Sequence, residues 1–228
     1  MTEVRKYIPG SIRENNLQKI MLAAEYEFVE YGFKKTTTQN IANRAGLPKS
    51  NVHYYFKNKL SLYCAILEGI LKLWDKTLNN ITEDDDPEDV IRTFIIKKME
   101  SARDNPRASQ IFAAEVMGKG KHLKHYYNDN YPKWFTGRAN VIKSWIDQGK
   151  MESVDPEHLI FLLWATTQHY ADFMFQITAA LGKKELTNDD YARAIANITH
   201  IVLKGCGVKC KSKAAIVNSA VCAERVEG

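Results

Sequence analysis

The side chains best suited to contact a nucleic acid lie close together in the first quarter of this 228-residue chain. They share a polar or cationic head and are Lys49, Ser50, Asn51, His53 and Tyr54. Hydroxyl and amide groups can hydrogen-bond base edges, so we predict base contacts for Ser50 and Asn51. An ammonium, an imidazole N–H or a phenol suits phosphate oxygens, and we predict phosphate contacts for the other three.

The residues around this set predict two short helices joined by a glycine turn. Thr36 or Thr37 can cap the first helix with its hydroxyl group. Gly46 can adopt the positive φ that ends a helix, and Pro48 suits the start of the next one, which we expect to end near Tyr55. The pattern therefore predicts that the polar set projects from a second helix of about two turns.

Three residues outside that second helix extend the predicted contact surface. Gln39 is a candidate for a base contact, and Thr37 and Lys59 are candidates for phosphate contacts. Two helices this short cannot bury a core alone, so longer helices must brace them. Amphipathic stretches lie on both sides, one ending at Gly32 and one beginning near Asn58.

The order of residue types from Thr37 to Leu62 is specific. It reads T-x-x-x-I-A-x-x-A-G, then six residues, then H-Y-Y-F-x-N-K-x-x-L. This order resembles the DNA-binding domain of TetR (tetracycline-repressor) family regulators. The resemblance implies a ligand-responsive transcription regulator that binds a double-stranded DNA operator, with repression as its expected effect.

Charge is concentrated at the amino-terminal end. Through Leu60 there are ten Lys and Arg residues against five acids, a net charge of +5, which equals the net charge of the whole chain. A basic unit on a near-neutral body fits DNA contact by one end. The alternative that we carry forward is a helical interaction module whose basic end binds an acidic protein partner.

The remainder of the chain predicts helices and no strands. Apolar residues recur at helical spacing, and no run shows the strict alternation of a strand. We predict an all-α protein with three parts: a three-helix DNA-binding domain at 1–60, a larger helical ligand-binding and dimerisation domain at 61–207, and a tail of unassigned role at 208–228. The longest apolar run, 159–165, is far shorter than a membrane span, so we expect a soluble, cytoplasmic protein without a membrane partner.

Two late apolar helices suit a dimer contact. We predict the first from His158 to about Leu181, after the cap signature at Asp155, and the second from the Thr187 cap to Gly205. They could close the chain's own core instead. A homodimer is favoured on function, because a reading helix gains specificity from a second half-site.

Polar and aromatic groups are concentrated within the first of these helices. Trp164, Gln168 and Ala171 share one face at helical spacing. A buried Gln needs hydrogen-bond partners, which neighbouring helices or a ligand could supply. An indole beside an amide suits a flat ligand with carbonyl and N–H edges.

The segments RDNP, ESVDPEHLIF and WATTQHYADF resemble the ligand domain of regulators of pyrimidine utilisation. That resemblance implies uracil or thymine as the small-molecule effector. It also implies that Gln168 pairs with the pyrimidine edge, that Trp164 and Trp74 wall the ring, and that Lys98 meets a carbonyl group.

Catalysis and metal binding are weaker interpretations. His158, His169 and Asp172 could do acid–base chemistry, but no nucleophile is positioned by a motif. His122 and His125 with Asp129 could be a metal set, although a solvated loop is the more frequent explanation. We therefore expect no enzyme activity, no metal and no cofactor.

Overall fold

The computed structural model describes residues 11–127 and 130–208, and within them the chain forms helices and no strands. The ten helices of this part are α1 (Ser11–Lys35), α2 (Thr38–Ala45), α3 (Lys49–Tyr55), α4 (Lys59–Leu78), α5 (Pro87–Asp104), α6 (Pro106–Met117), α7 (Asn130–Asp147), α8 (Pro156–Asp172), α9 (Met174–Leu181) and α10 (Asn188–Gly205). The prediction of an all-α protein is confirmed. The tail after Val208, to which we assigned no role, lies outside the described residues apart from Val208 itself.

The chain divides into two compact units. The first comprises residues 1–75 and 104–128, and the second comprises residues 76–103 and 129–228. This division differs from the sequence-based boundary near residue 60. The reason is that α6 packs on α1, and that Ile111 of α6 and Ile70 of α4 belong to the same core as Ile20 of α1.

The first unit buries its apolar residues among α1, α2, α3, α4 and α6. Ile41 and Ala42 of α2 and Val52 of α3 are the buried residues that attach the two short helices to this core. Phe28 and Phe33 pack against Tyr63 with ring centroids 5.0 and 4.8 Å apart. The braces predicted from the flanking sequence are therefore present on both sides of α2 and α3.

The second unit has its own core, built around the fully buried Trp145 of α7. The indole N–H of Trp145 donates to the Thr82 carbonyl at 3.0 Å, so this large side chain is buried without an unpaired donor. The predicted Thr187 cap of α10 is confirmed, and it forms a capping box with Asp190: the Thr187 side chain accepts from the Asp190 N–H, and the Asp190 carboxylate accepts from the Thr187 N–H.

Two helix boundaries differ from the sequence-based expectation. The single helix predicted from His158 to about Leu181 is wrong, because Phe173 leaves helical geometry with φ −114° and ψ 30° and separates α8 from α9. No Gly or Pro marks this position, so the periodicity gave no signal of the break. In addition, the apolar spacing of Val141, Trp145 and Ile146 predicts a helix from Trp134 to Gln148, whereas α7 begins earlier, at Asn130.

Candidate functional site

The turn between α2 and α3 has the geometry that its residue types predict. The Thr37 hydroxyl, and not that of Thr36, caps α2 by accepting from the Asn40 N–H at 3.1 Å. Gly46 has φ 65° and donates its N–H to carbonyls of the last turn of α2. Pro48 precedes α3 as its N-cap, so the second helix begins one residue later than expected.

Most of the predicted contact residues of α3 face solvent. Lys49, Ser50, His53 and Tyr54 are exposed, Tyr54 to 70%, and Asn51 is half-buried. Only Val52 of α3 is buried in the core, so the helix has one face for packing and one that is free for a ligand. The structure thus brings this set together on one short exposed element.

The two contact candidates on or before α2 have partners within the helix. Gln39 is exposed, and its Nε2 donates to Asn43 Oδ1 at 2.8 Å. The Thr37 hydroxyl accepts the capping hydrogen bond, but it retains its own O–H as a donor. Both groups therefore keep hydrogen-bonding capacity for a ligand.

Lys59 has a different environment from the other candidates. Its Nζ donates to the carbonyl oxygens of Phe33 and Thr36 at 2.5 and 2.7 Å, and it lies 4.5 Å from the centre of the Phe33 ring. A Lys ammonium has three donors, and Lys34 provides a further carbonyl at 3.3 Å. The side chain is thus anchored at the end of α1, where it fixes the start of α4.

An ion pair and a ring stack, which sequence reasoning missed, fasten α2 to α1. Arg44 Nε donates to Glu27 Oε1 at 2.6 Å, and the Arg44 guanidinium lies 3.6 Å from the centre of the Tyr26 ring. The Thr36 hydroxyl also donates to the Glu27 carbonyl at 2.8 Å. These contacts join residues 9 to 18 positions apart in sequence, and no local motif marks them.

The loop histidines considered as metal ligands pair with carboxylates. His122 donates its backbone N–H to Glu115 Oε1 at 2.6 Å, and its Nδ1 lies 3.0 Å from Glu115 Oε2. Burial acts to raise the pKa of Glu115, but the hydrogen bonds from His122 and from the Tyr63 hydroxyl lower it overall. Asp129 lies outside the described residues, and within the described ranges no three His, Cys, Asp or Glu side chains could hold a metal ion.

A hydrogen-bonded row of polar side chains crosses the second unit between α5 and α8. Lys98 Nζ donates to Gln168 Oε1 at 2.9 Å, and Gln168 Nε2 donates to Asp172 Oδ1 at 2.9 Å. Lys98 is only 6% exposed. Two of the residues that the sequence predicted for ligand binding are therefore in direct contact, and Asp172 is a third that the prediction missed.

The pKa values of the two ionisable groups in the row, Lys98 and Asp172, are displaced from their ordinary values. Burial lowers the pKa of Lys98 to about 7, with the attraction of Asp172 opposing that change. Burial raises the pKa of Asp172, against the hydrogen bond from Gln168 and the charges of Lys98 and His169. Buried ionisable groups with displaced pKa values are concentrated at functional sites, which marks this row as a candidate binding site.

Trp164 lies on the same helix as Gln168, with its ring among other aromatic groups. The ring centroids of Phe135 and Phe161 are 5.9 and 5.7 Å from that of Trp164. Trp164 also lines a cavity of about 20 Å³ whose walls are apolar except for Arg138. That volume holds about one water molecule, so a ligand ring would enter only after side chains move.

Trp74 belongs to the first unit, unlike the other three predicted ligand-binding residues. Its ring meets that of Phe112 edge to face with centroids 4.9 Å apart. Trp74 thus contributes to the aromatic packing of that unit.

The late helices α9 and α10 expose large apolar side chains. Phe175 and Leu181 of α9 and Ile201 of α10 are 87%, 54% and 59% exposed. Next to them, an open groove lies between α9 and α10, lined both by apolar residues such as Ala180 and by polar ones such as Arg193. Large exposed apolar groups on neighbouring helices indicate a surface that another molecule covers.

Two family models together match residues 20–209 of the chain. Residues 20–66 match "Bacterial regulatory proteins, tetR family", and residues 67–209 match "YcdC-like protein, C-terminal region". In the part of the chain that the structure describes, no helix is both long and apolar enough to cross a membrane.

Curated relatives and solved structures agree with these matches. The chain is 35% identical to the HTH-type transcriptional regulator RutR of Escherichia coli K12 over 186 residues, which are 82% of this chain and 88% of the relative. A tetR-family regulatory protein from Rhodococcus RHA1 has the same fold at 19% identity, with a TM-score of 0.64 over 86% of this chain and 98% of that one. A TetR-like transcriptional regulator from the same source superposes with a TM-score of 0.60 at 18% identity over 89% of this chain and all of the other.

The helix-turn-helix of α2 and α3, the helical body and these matches lead to one conclusion: the chain belongs to the TetR family of helix-turn-helix transcriptional regulators and is related to RutR.

Proposed function

We propose that this protein is a cytoplasmic, homodimeric repressor that releases its operator when it binds a small planar metabolite such as uracil or thymine. The observation that carries the effector proposal is the row Lys98, Gln168 and Asp172. The row places a cationic donor and an amide side by side within the helical body. The likeness of the segments around Gln168 to regulators of pyrimidine utilisation supports the choice of ligand.

On the DNA side, we assign two kinds of contact to the exposed face. Ser50, Asn51 and Gln39 contact base edges, since their hydroxyl and amide groups match donors and acceptors in the major groove. The residues assigned to phosphates are Thr37, Lys49, His53 and Tyr54. Lys59 acts with them indirectly. Its hydrogen bonds to the Phe33 and Thr36 carbonyls fix the start of α4, and this helps to position the DNA-contacting helix α3.

The dimer forms through the exposed face of α9 and α10. Phe175, Leu181 and Ile201 supply apolar area there, and burial of apolar surface contributes about 25 cal/mol for each Å² removed from water. A two-fold arrangement also suits the DNA, because two reading units then meet two half-sites of an operator.

On the effector side, the edge of the ring meets Gln168, a carbonyl group accepts from Lys98, and Trp164 lies against the ring face. The resemblance also implies Trp74 as a ligand-binding residue, and in the structure its ring packs against Phe112 within the first unit. An effector that differs in affinity between the DNA-bound and free forms shifts the protein towards the form it prefers.

A thermal-shift experiment with uracil and thymine tests the effector proposal. A ligand at a hundredfold excess over its dissociation constant stabilises the folded protein by about 2.7 kcal/mol. We expect such a shift for the wild type, loss of it in Gln168→Ala, and retention in the control Gln148→Ala, whose side chain is exposed in the turn after α7. The absence of any shift in the wild type would rule out both pyrimidines as effectors.

A further inference from the structure

The amide of Gln168 has one chemically permitted orientation. The ammonium of Lys98 can only donate hydrogen bonds, and the carboxylate of Asp172 can only accept them. The carbonyl Oε1 therefore faces Lys98 and the Nε2 faces Asp172, each at 2.9 Å. Rotation of the amide by half a turn would place donor against donor and acceptor against acceptor.

The fixed amide still has unused hydrogen-bonding capacity. A primary amide has two N–H donors and two acceptor lone pairs, and the row uses one of each. Among the described residues, no further hydrogen bond to Gln168 is present, and its side chain is half-buried. Gln168 therefore offers a ligand one N–H donor beside one carbonyl acceptor, in a fixed order.

We infer that Asp172 is a positioning residue that fixes the Gln168 amide, and that it thereby selects effectors with a carbonyl group next to an N–H on one edge. This is the edge of a neutral lactam or imide. The inference rests on the proposed function, since it concerns the same site and narrows the class of effector. It adds Asp172 to the residues predicted for ligand binding.

The same geometry disfavours other planar molecules. A carboxylate presents two acceptors, so one of them would face Oε1 of Gln168 without a donor between them. A fully N-alkylated ring lacks the donor that Oε1 requires. A site built to hydrogen-bond a ligand group discriminates strongly against analogues that lack it, because its buried polar atoms are then left unpaired.

The charged groups that face Asp172 act in the same direction. Lys98 reaches the row from α5, and His169 lies beside Asp172 on α8; both charges favour the ionised carboxylate, although burial raises its pKa overall. Protonation of Asp172 would convert an obligatory acceptor into a possible donor. The orientation of Gln168 is therefore best defined above the pKa of Asp172 and below that of Lys98, which is about 7, because the neutral amine of Lys98 can also accept. Lactam binding should weaken as pH falls through the pKa of Asp172.

Isothermal titration calorimetry with uracil and 1,3-dimethyluracil tests the selection. Wild-type protein should bind uracil at least tenfold more tightly than 1,3-dimethyluracil, which has a similar ring but no N–H. In Asp172→Leu, we expect uracil affinity to fall about tenfold and the ratio between the two ligands to approach one. Asp172→Asn keeps an acceptor oxygen and should recover most of the ratio, and the exposed Asp189→Leu is the control.

A ligand-free measurement separates this inference from the effector proposal. In ¹⁵N-labelled protein, the Gln168 side-chain N–H that donates to the carboxylate should resonate downfield and exchange slowly, and Asp172→Leu should remove both properties. Signals that are unchanged in Asp172→Leu, or an unchanged ligand ratio, would overturn the role of Asp172. Slow exchange in a wild type that binds no uracil would overturn the pyrimidine effector and leave the fixed amide established.

Discussion

Replacement of Lys98 by Met should stabilise the protein at neutral pH while it removes a residue of the proposed effector site. Burial lowers the pKa of Lys98 from 10.5 to about 7. Between these two pH values the unfolded chain binds more protons than the folded one, so wild-type stability rises with pH across that window. At 1.36 kcal/mol for each tenfold difference, the buried ammonium costs about 4 kcal/mol at pH 7 and about 1 kcal/mol at pH 10.

Lys98→Met removes that cost but also leaves Gln168 Oε1 without its donor, which costs about 1–3 kcal/mol. The variant should therefore be more stable than the wild type by about 1–3 kcal/mol at pH 7. This advantage should fall by about 3 kcal/mol by pH 10, because the folded wild-type amine is then neutral and the pH has come close to the ordinary pKa of 10.5, so that little cost of deprotonation remains.

Urea denaturation at pH 7, 8, 9 and 10, followed by circular dichroism at one protomer concentration, measures this difference. The control is Lys97→Met, in which the neighbouring exposed ammonium loses its contact with Glu100 at 2.8 Å and should change stability little at any pH. An advantage of Lys98→Met that stays constant with pH, or a loss of stability at pH 7, would refute the reasoning that burial displaces this ammonium's pKa.

Three further predictions concern DNA contact, assembly and the turn between α2 and α3. Lys49→Ala should weaken binding to all duplexes alike and reduce the slope of log affinity against log salt by about 1, whereas Asn51→Ala should mainly relax discrimination between base sequences, by about 1–3 kcal/mol. Fluorescence anisotropy at several salt concentrations distinguishes the two variants, and equal effects of both on all sequences would refute the division of roles. Phe175→Glu should halve the mass measured by sedimentation equilibrium, because an unpaired charge is too costly to bury in the apolar dimer contact. A variant that is still a dimer would exclude α9 from the interface. Gly46→Ala should lower the free energy of unfolding by about 1–2 kcal/mol, because a φ of 65° is strained for alanine although no atom lies near the new Cβ. Gly69→Ala inside α4 should raise it by up to about 1 kcal/mol, and equal urea midpoints for the two variants would contradict the account of the turn.

Local sequence patterns were sufficient where a short-range rule decides the structure. Thr37 and Gly46 mark the two ends of α2, and Thr187 with Asp190 marks the start of α10, because caps and glycine turns depend on residues a few positions apart. The break at Phe173 could not be predicted in this way, since neither Gly nor Pro stands there.

The candidate effector site shows the same limit. Asp172 follows Gln168 at helical spacing i, i+4, so the pattern contained a signal for their contact. Lys98 meets Gln168 from 70 residues away, and only tertiary packing brings them together. For Lys59, the motif and the structure indicate different contacts. The motif places Lys59 beside the predicted DNA contacts, whereas packing directs its ammonium to carbonyl groups at the end of α1.

The most direct test of the proposed function is whether uracil releases the protein from DNA. A duplex selected from random sequence by the protein itself serves as the fluorescent probe, and its anisotropy is followed as uracil is added to wild-type protein and to Gln168→Ala. The account predicts that uracil lowers the anisotropy of the wild-type complex, and that the variant binds the duplex equally well but retains it. A wild-type complex that is unchanged at millimolar uracil would contradict the proposed response.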